Sequence, residues 1–194
     1  MELGSVMKTR LSWICHGATQ ANRNGCFPDD EPLEAKATQQ AQSLSFGLGA
    51  IDRVWSSPAL RARQTAVVLG LDAIPDVALR ECDYGDWRGQ SLAELHERDA
   101  DSLALWMTDT SVAPHGGEAL SAVMKRVGEW MGNHIEDSGH IVVITHASVI
   151  RAAVLQALQA PPAAFWSVDV EPFGIVEMTS DGRRWLLRFP KMTI

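Results

Sequence analysis

This sequence is short of the features that announce a nucleic-acid-binding, membrane-spanning or metal-centred protein. Basic clusters are missing: 17 Lys+Arg face 24 Asp+Glu for a net charge of −7, and the basic residues are scattered. That balance argues against a nucleic-acid partner. No apolar run approaches the roughly 18 residues of a membrane span, so no membrane partner is expected. Cysteine is sparse, and Cys15, Cys26 and Cys82 form no C-x-x-C pair, which argues against a zinc ribbon and a disulfide framework. The six histidines are dispersed rather than spaced as zinc ligands. A G-x-S-x-G serine elbow is absent, since "GQSLA" at Gly89 lacks the last glycine. The glycine-rich turn of a dinucleotide site is also absent after the first apolar run. A soluble, cytoplasmic protein is expected. Met7 offers an alternative start, so residues 1–8 are expected to be a flexible or vector-derived segment.

What is present is apolar residues in alternating patterns. With 194 residues and 46% hydrophobic content, the chain can bury a sizeable core, and one domain over residues 1–194 is expected. Strand-like runs at Leu11–Ile14, Arg53–Ser56, Ile141–Thr145, Ile175–Thr179 and Trp185–Phe189 alternate with helical patterns, as in an α/β fold with a mostly parallel sheet. Over Glu118–Ile135 the apolar residues Leu120, Val123, Met124, Val127, Trp130, Met131 and Ile135 recur at steps of three and four, marking one buried helix face. Shorter helical patterns cover Glu34–Leu48, Leu60–Leu69 and Val149–Leu158, the last stopped by Pro161 and Pro162.

Two of the strand-like runs end alike. "RLSWICHGAT" and "HIVVITHAS" each deliver a histidine, His16 and His146, at the carboxyl end of an apolar run. Ligands of open α/β sheets bind beyond those ends. Arg61 in "SPALRARQTA" and Glu81 in "LRECDYGDWRG" follow other strand-like stretches. Two imidazoles, a guanidinium and a carboxylic acid in one crevice suit phosphoryl transfer: an imidazole attacks phosphorus, cations neutralise its oxygens, and an acid protonates the leaving oxygen. Neither a metal nor another cofactor is required.

Five blocks in order, "CHGATQAN", "SSPALRARQTA", "LRECDYGDWRG", "PHGGEAL" and "VITHASVIR", resemble the histidine phosphatase superfamily, also called the phosphoglycerate mutase-like family. The resemblance runs from about Leu11 to Pro161. It implies a three-layer α/β/α sandwich of phosphoglycerate mutase type and a metal-independent phosphatase acting on a small phosphorylated metabolite. It further implies that His16 is the nucleophile forming a phosphohistidine, Glu81 the general acid, and that His146 and Arg61 bind the phosphoryl group. Asn22, Cys15, Gly17 and Ala147 occupy the family's phosphate-contacting positions. The segment around "DADSLALWMTD" would form the mouth that selects substrate, short enough to favour a phosphatase over a mutase. The blocks look closest to the α-ribazole phosphatase-like members. A homodimer is compatible with the sequence.

The chain departs from the family's pattern where Cys15 stands for the first arginine, Cys26 for a second, and Ala147 for the glycine after the second histidine. A guanidinium offers phosphate a planar fork of donors, whereas a thiol is a weak donor. The missing charge is expected from Arg23, Lys36, Arg88 or Arg151; the alternatives are a substrate other than a simple phosphate dianion and a non-catalytic member that binds a phosphorylated metabolite or a protein. Strand alternation would turn Cys15 and His16 to opposite faces, so both reach one pocket only if the strand turns at His16. His115, ahead of "GGE", is a candidate for the mouth. His96, His134 and His140 read as surface residues.

Overall fold

The computed structural model describes residues 9–44 and 47–189. The expected flexible or vector-derived segment 1–8 and the last residues of the C-terminal tail lie outside the described residues. A six-stranded sheet runs β3-β2-β4-β1-β5-β6. Its strands are β1 (Thr9–Cys15), β2 (Arg53–Ser56), β3 (Ile74–Pro75), β4 (Gly139–Thr145), β5 (Ile175–Ser180) and β6 (Trp185–Arg188). The pairs β3-β2, β2-β4 and β4-β1 are parallel, while β5 and β6 continue the sheet antiparallel and β6 forms an edge.

Side-chain alternation on the two central strands builds two cores. Leu11 and Trp13 of β1 with Ile141 and Val143 of β4 bury one face against α4 (Leu92–Thr108), α5 (Leu120–Asn133) and α6 (Ala147–Leu158). Ile14, Val142 and Ile144 bury the other against α3 (Leu60–Val68). With both faces covered, β1 and β4 read as nearly continuous apolar runs, as parallel strands do. The helix α5 buries Leu120, Val123, Val127, Trp130 and Met131, the face given by its periodicity. Trp13 is fully buried and meets Trp130 edge-on at 5.4 Å; its truncation to alanine would cost about 3 to 5 kcal/mol.

Three local readings are corrected. The helix α2 (Ala35–Ser43) stops before the expected Leu48. The segment read only as a mouth is the helix α4, started by a capping box in which Ser91 and Glu94 each satisfy the other's backbone N–H. His140 is buried rather than exposed, because its position in β4 turns it toward Ser12 of β1, whose hydroxyl lies 2.8 Å from its Nε2.

The sheet order decides where the site falls. In the parallel β1-β4 pair Cys15 lies opposite Thr145, so His16 and His146 leave the sheet side by side, and the His16 amide donates to the Thr145 carbonyl at 2.9 Å. After β1 the chain passes through the short helix α1 (Gln20–Asn24) to α2, which packs beside α3, whereas after β4 it turns into α6 on the opposite face. This divergence opens a crevice at the carboxyl ends of the strands.

Candidate active site

The four residues expected to share one crevice are brought together, with His16, Arg61 and Glu81 on the cavity wall and His146 fully buried against them. The His16 and His146 ring centroids lie 5.1 Å apart. His16 Nδ1 is 2.7 Å from the Gly17 carbonyl, which can only accept, so that nitrogen carries the proton and Nε2 keeps its lone pair. Arg61 Nε donates to that lone pair at 3.3 Å. Burial, reinforced by the Arg61 charge, lowers the His16 pKa from 6.5 to about 4, which keeps the ring neutral and nucleophilic near neutral pH. Burial, followed by the His16 and Arg61 charges, also holds His146 well below the ordinary histidine range.

Glu81 is divided between two tasks. Its Oε1 accepts from the Cys82 amide at 2.9 Å and from the Ser148 hydroxyl. Its Oε2 faces the crevice, 3.4 Å from His146 Nδ1 and 3.8 Å from Arg61 Nη2. One oxygen is therefore fixed by hydrogen bonds while the other faces His146 and Arg61. The loop that carries Glu81 is pinned by close backbone packing: Glu118 N–H donates to Asp83 O at 2.7 Å and Asp86 N–H to His115 O at 2.8 Å. A Cβ on Gly117 would fall 2.0 Å from the Asp83 carbonyl oxygen and one on Gly85 2.1 Å from the His115 carbonyl oxygen, so these two glycines permit that approach.

Cys15, His16, Arg61, Glu81, Ala147 and Ser148 all line one cavity of about 290 Å³. Cys15 and His16 do face the same pocket, the strand ending between them. Burial, then the Glu81 carboxylate, pushes the Cys15 thiol up to about 12, so it is neutral and uncharged toward a ligand. Ala147 and Ser148 form the first turn of the twelve-residue helix α6, where unpaired amides favour an anion. The outer wall is apolar and aromatic, with Phe27, Tyr84, Trp106, Met107, Phe165 and Trp166. Trp106 and Met107 come from the segment expected at the mouth.

Other expected residues fall elsewhere or are already engaged. Gly17 is not on the cavity wall: its amide donates to Thr65 Oγ1 at 3.0 Å, and a Cβ there would meet the Phe173 ring at 2.6 Å. Asn22 is on the wall, but its Oδ1 accepts from the Thr19 amide at 3.0 Å in a capping box, leaving only its NH2 group for a ligand. His115 is buried against Tyr84 and Trp87 and does not line the cavity. Three supporting residues were not anticipated. Ser57 Oγ is 2.7 Å from His146 Nε2, Ser148 holds Glu81, and Arg126 donates to the Glu81 carbonyl at 3.3 Å while pairing with Glu118 at 2.8 Å. Ser57 and Ser148 each adjoin a recognised block or lie within it, so the blocks themselves carried that signal.

His16, Glu81 and His146 offer ligand atoms within 4.8 Å of one another, a spacing that a metal ion could use. The Arg61 guanidinium lies among them, 3.3 Å from His16 Nε2 and 3.8 Å from Glu81 Oε2, and its fixed charge opposes a cation there. The same charge favours an anion. No helix among the described residues is long and apolar enough to cross a membrane.

A family model described as the histidine phosphatase superfamily (branch 1) matches residues 11–192. Over 187 residues the chain is 34% identical to a bifunctional protein of Mycobacterium tuberculosis, an alignment covering 90% of this chain and 51% of that protein. The chain thus spans about half the length of that bifunctional protein and of two further mycobacterial relatives matched at the same identity. It is 32% identical over 173 residues to the adenosylcobalamin/alpha-ribazole phosphatase of Salmonella typhimurium, with 84% of this chain and 86% of the relative covered. The solved structure of mycobacterial glucosyl-3-phosphoglycerate phosphatase with VO3 is similar at a TM-score of 0.82 and 26% identity, covering 92% of this chain and 96% of that one.

Proposed function

The chain belongs to the histidine phosphatase superfamily, and on that premise we propose that it is a metal-independent phosphatase that hydrolyses a small-molecule phosphomonoester through a phosphohistidine at His16. Relatives of this chain are phosphatases, which supports the reaction class. The observation that carries the finer reading is the state of His16: a buried, neutral imidazole whose Nδ1 is tied to the Gly17 carbonyl and whose Nε2 lone pair faces Arg61.

In the first step His16 Nε2 attacks phosphorus, the ester P–O bond breaks, and the Glu81 carboxylic acid protonates the departing alcohol oxygen. Arg61 and the first-turn amides of α6 neutralise the phosphoryl oxygens. His146 joins them through Nδ1–H while the Ser57 hydroxyl donates to its Nε2. In the second step Glu81, now a carboxylate, takes a proton from water as the water attacks phosphorus. The N–P bond breaks, inorganic phosphate leaves, and both groups return to their starting states. The aromatic outer wall favours an ester whose alcohol part is flat and apolar, with the burial of each aromatic or aliphatic group contributing about 25 cal/mol per Å².

Rapid quenching of the enzyme with a phosphorus-labelled ester tests the reading. Label that is stable in base, labile in acid and lost in His16→Ala is the expected result. Absence of both label and turnover across a panel of phosphorylated metabolites would leave the non-catalytic binding module as the better description.

A further inference from the structure

A phosphoryl dianion entering this crevice would find its first cation already engaged. Arg61 donates through Nε to His16 at 3.3 Å and holds Nη2 3.8 Å from Glu81 Oε2. Cys15, on the same wall, is a neutral thiol. Even with Glu81 serving as the acid, one guanidinium offsets only one of a dianion's two charges, and burial makes the other costly.

One further cation lines this cavity among the described residues. Arg151 stands on α6 one turn beyond Ala147 and is half-buried. Its Nε donates to the Val168 carbonyl at 2.7 Å, and its guanidinium carbon lies 5.6 Å from the Trp166 ring centroid and 5.8 Å from that of Phe165. These contacts fix the plane of the guanidinium but bring no negative charge, and no carboxylate pairs with it among the described residues. A half-buried arginine held in plane yet without a counter-ion is a site prepared for an anion. Its charge also acts on the Cys15 thiol more strongly than that of Arg61 does.

The other cations are spent elsewhere. Arg23 pairs with Glu34, Arg88 pairs with Asp83 at 2.5 Å, and Lys36 is exposed on α2; none of the three lines the cavity. We propose that Arg151 is the second phosphoryl-binding cation of the site, gripping substrate phosphate from the α6 wall of the cavity and filling the charge role that Cys15 leaves open. This rests on the phosphatase reading, and makes Arg151 a residue that touches the substrate.

The test is titration of inorganic phosphate into the whole chain at fixed ionic strength, followed by calorimetry and by inhibition of aryl phosphate hydrolysis. Wild type, Arg151→Gln, Cys15→Arg and the double variant are compared. Arg151→Gln is expected to weaken phosphate binding about 10- to 30-fold. Cys15→Arg should tighten wild type by less than about threefold, because the charge is already supplied, but should recover about tenfold in the Arg151→Gln background. Phosphate affinity within about twofold of wild type in Arg151→Gln, or an equal Cys15→Arg gain in both backgrounds, overturns the inference. So does a lower melting temperature with unchanged affinity of the folded protein, which would make the Val168 contact purely structural. Should Arg151→Gln fail to fold, Cys15→Arg alone decides: a gain of about tenfold or more in wild type means that no second cation was present. Hydrolysis that persists without dependence on Arg151 refutes this inference alone, whereas a wild type that neither binds phosphate nor turns over any ester refutes the phosphatase reading and this inference with it.

Discussion

The two ends of the cavity are built differently. At the inner end His16 and Arg61 are 4% and 2% exposed and His146 is fully buried against them. His16 and His146 directly follow β1 and β4, and Arg61 stands in the first turn of α3 after β2. Parallel-strand hydrogen bonds hold the backbone there, His16 to Thr145 at 2.9 Å and Ser57 to Ile144 at 2.8 Å. The outer wall borrows Leu92 and Met107 from α4, 45% and 50% exposed, and Phe165 and Trp166 from the segment after α6. The inner end is fixed by the sheet, whereas the outer wall is fixed by contacts between side chains on separate segments. On the proposed reading, chemistry that demands sub-ångström placement would sit on the rigid end, and substrate choice on the end that can change without disturbing the sheet.

The sharpest break of that division comes at the inner end. His16→Ala is expected to lower turnover by at least about 10⁴-fold while leaving the thermal melt near that of wild type, since no attacking nitrogen remains. Turnover retained within about tenfold, measured on one ester under saturating conditions, would remove His16 as nucleophile. Glu81→Gln follows, with a loss of about 10² to 10³ on alkyl phosphates but less than about tenfold on aryl phosphates, whose leaving groups need little acid assistance. Equal losses on the two ester classes would take the acid role from Glu81.

Burial of the inner end also has a pH signature. Unfolded histidine titrates near 6.5 and folded His16 near 4, so between those values the unfolded chain binds more protons. Stability therefore falls as pH drops through that window, by roughly 1.4 kcal/mol per pH unit for each such histidine, and His146 adds in the same direction. Denaturant melts at pH 7 and pH 5 read the slope, and ring-proton NMR reads the His16 midpoint directly. A midpoint near 6.5 would show a solvated ring. The smallest effect belongs to the outer wall: Met107→Ala should raise KM for esters of bulky apolar alcohols about two- to fivefold, with kcat on a small ester unchanged. A matching fall in kcat would mean that the two ends are not separable.

Much of the framework could be read from residue patterns. Five strands fall within about two residues of their apolar runs, and β1 and β4 are the plainest because strands buried on both faces leave little else for their sequence to be. The two-residue β3 is too short to leave a pattern, and α4 escaped although Ser91 and Glu94 spell its capping box. His140 misleads for a physical reason: a histidine inside a strand has no periodic signature, and only its pairing with Ser12 makes it a buried residue.

The sequence by itself determined which chemical groups stand at the strand ends, and it ordered His16, Arg61, Glu81 and His146 along the chain in a recognisable set of blocks. Only the tertiary structure decided their states and partners. Glu81 is held by Ser148, 67 positions away, and His146 by Ser57, 89 positions away. That Cys15 stays a neutral thiol, and that Arg151 rather than Arg23, Lys36 or Arg88 meets the cavity with no carboxylate partner among the described residues, follows from burial and from which carboxylates lie within reach. Charge and proton affinity depend on distances between groups remote in the chain, and those distances are set by the packing of helices on the sheet.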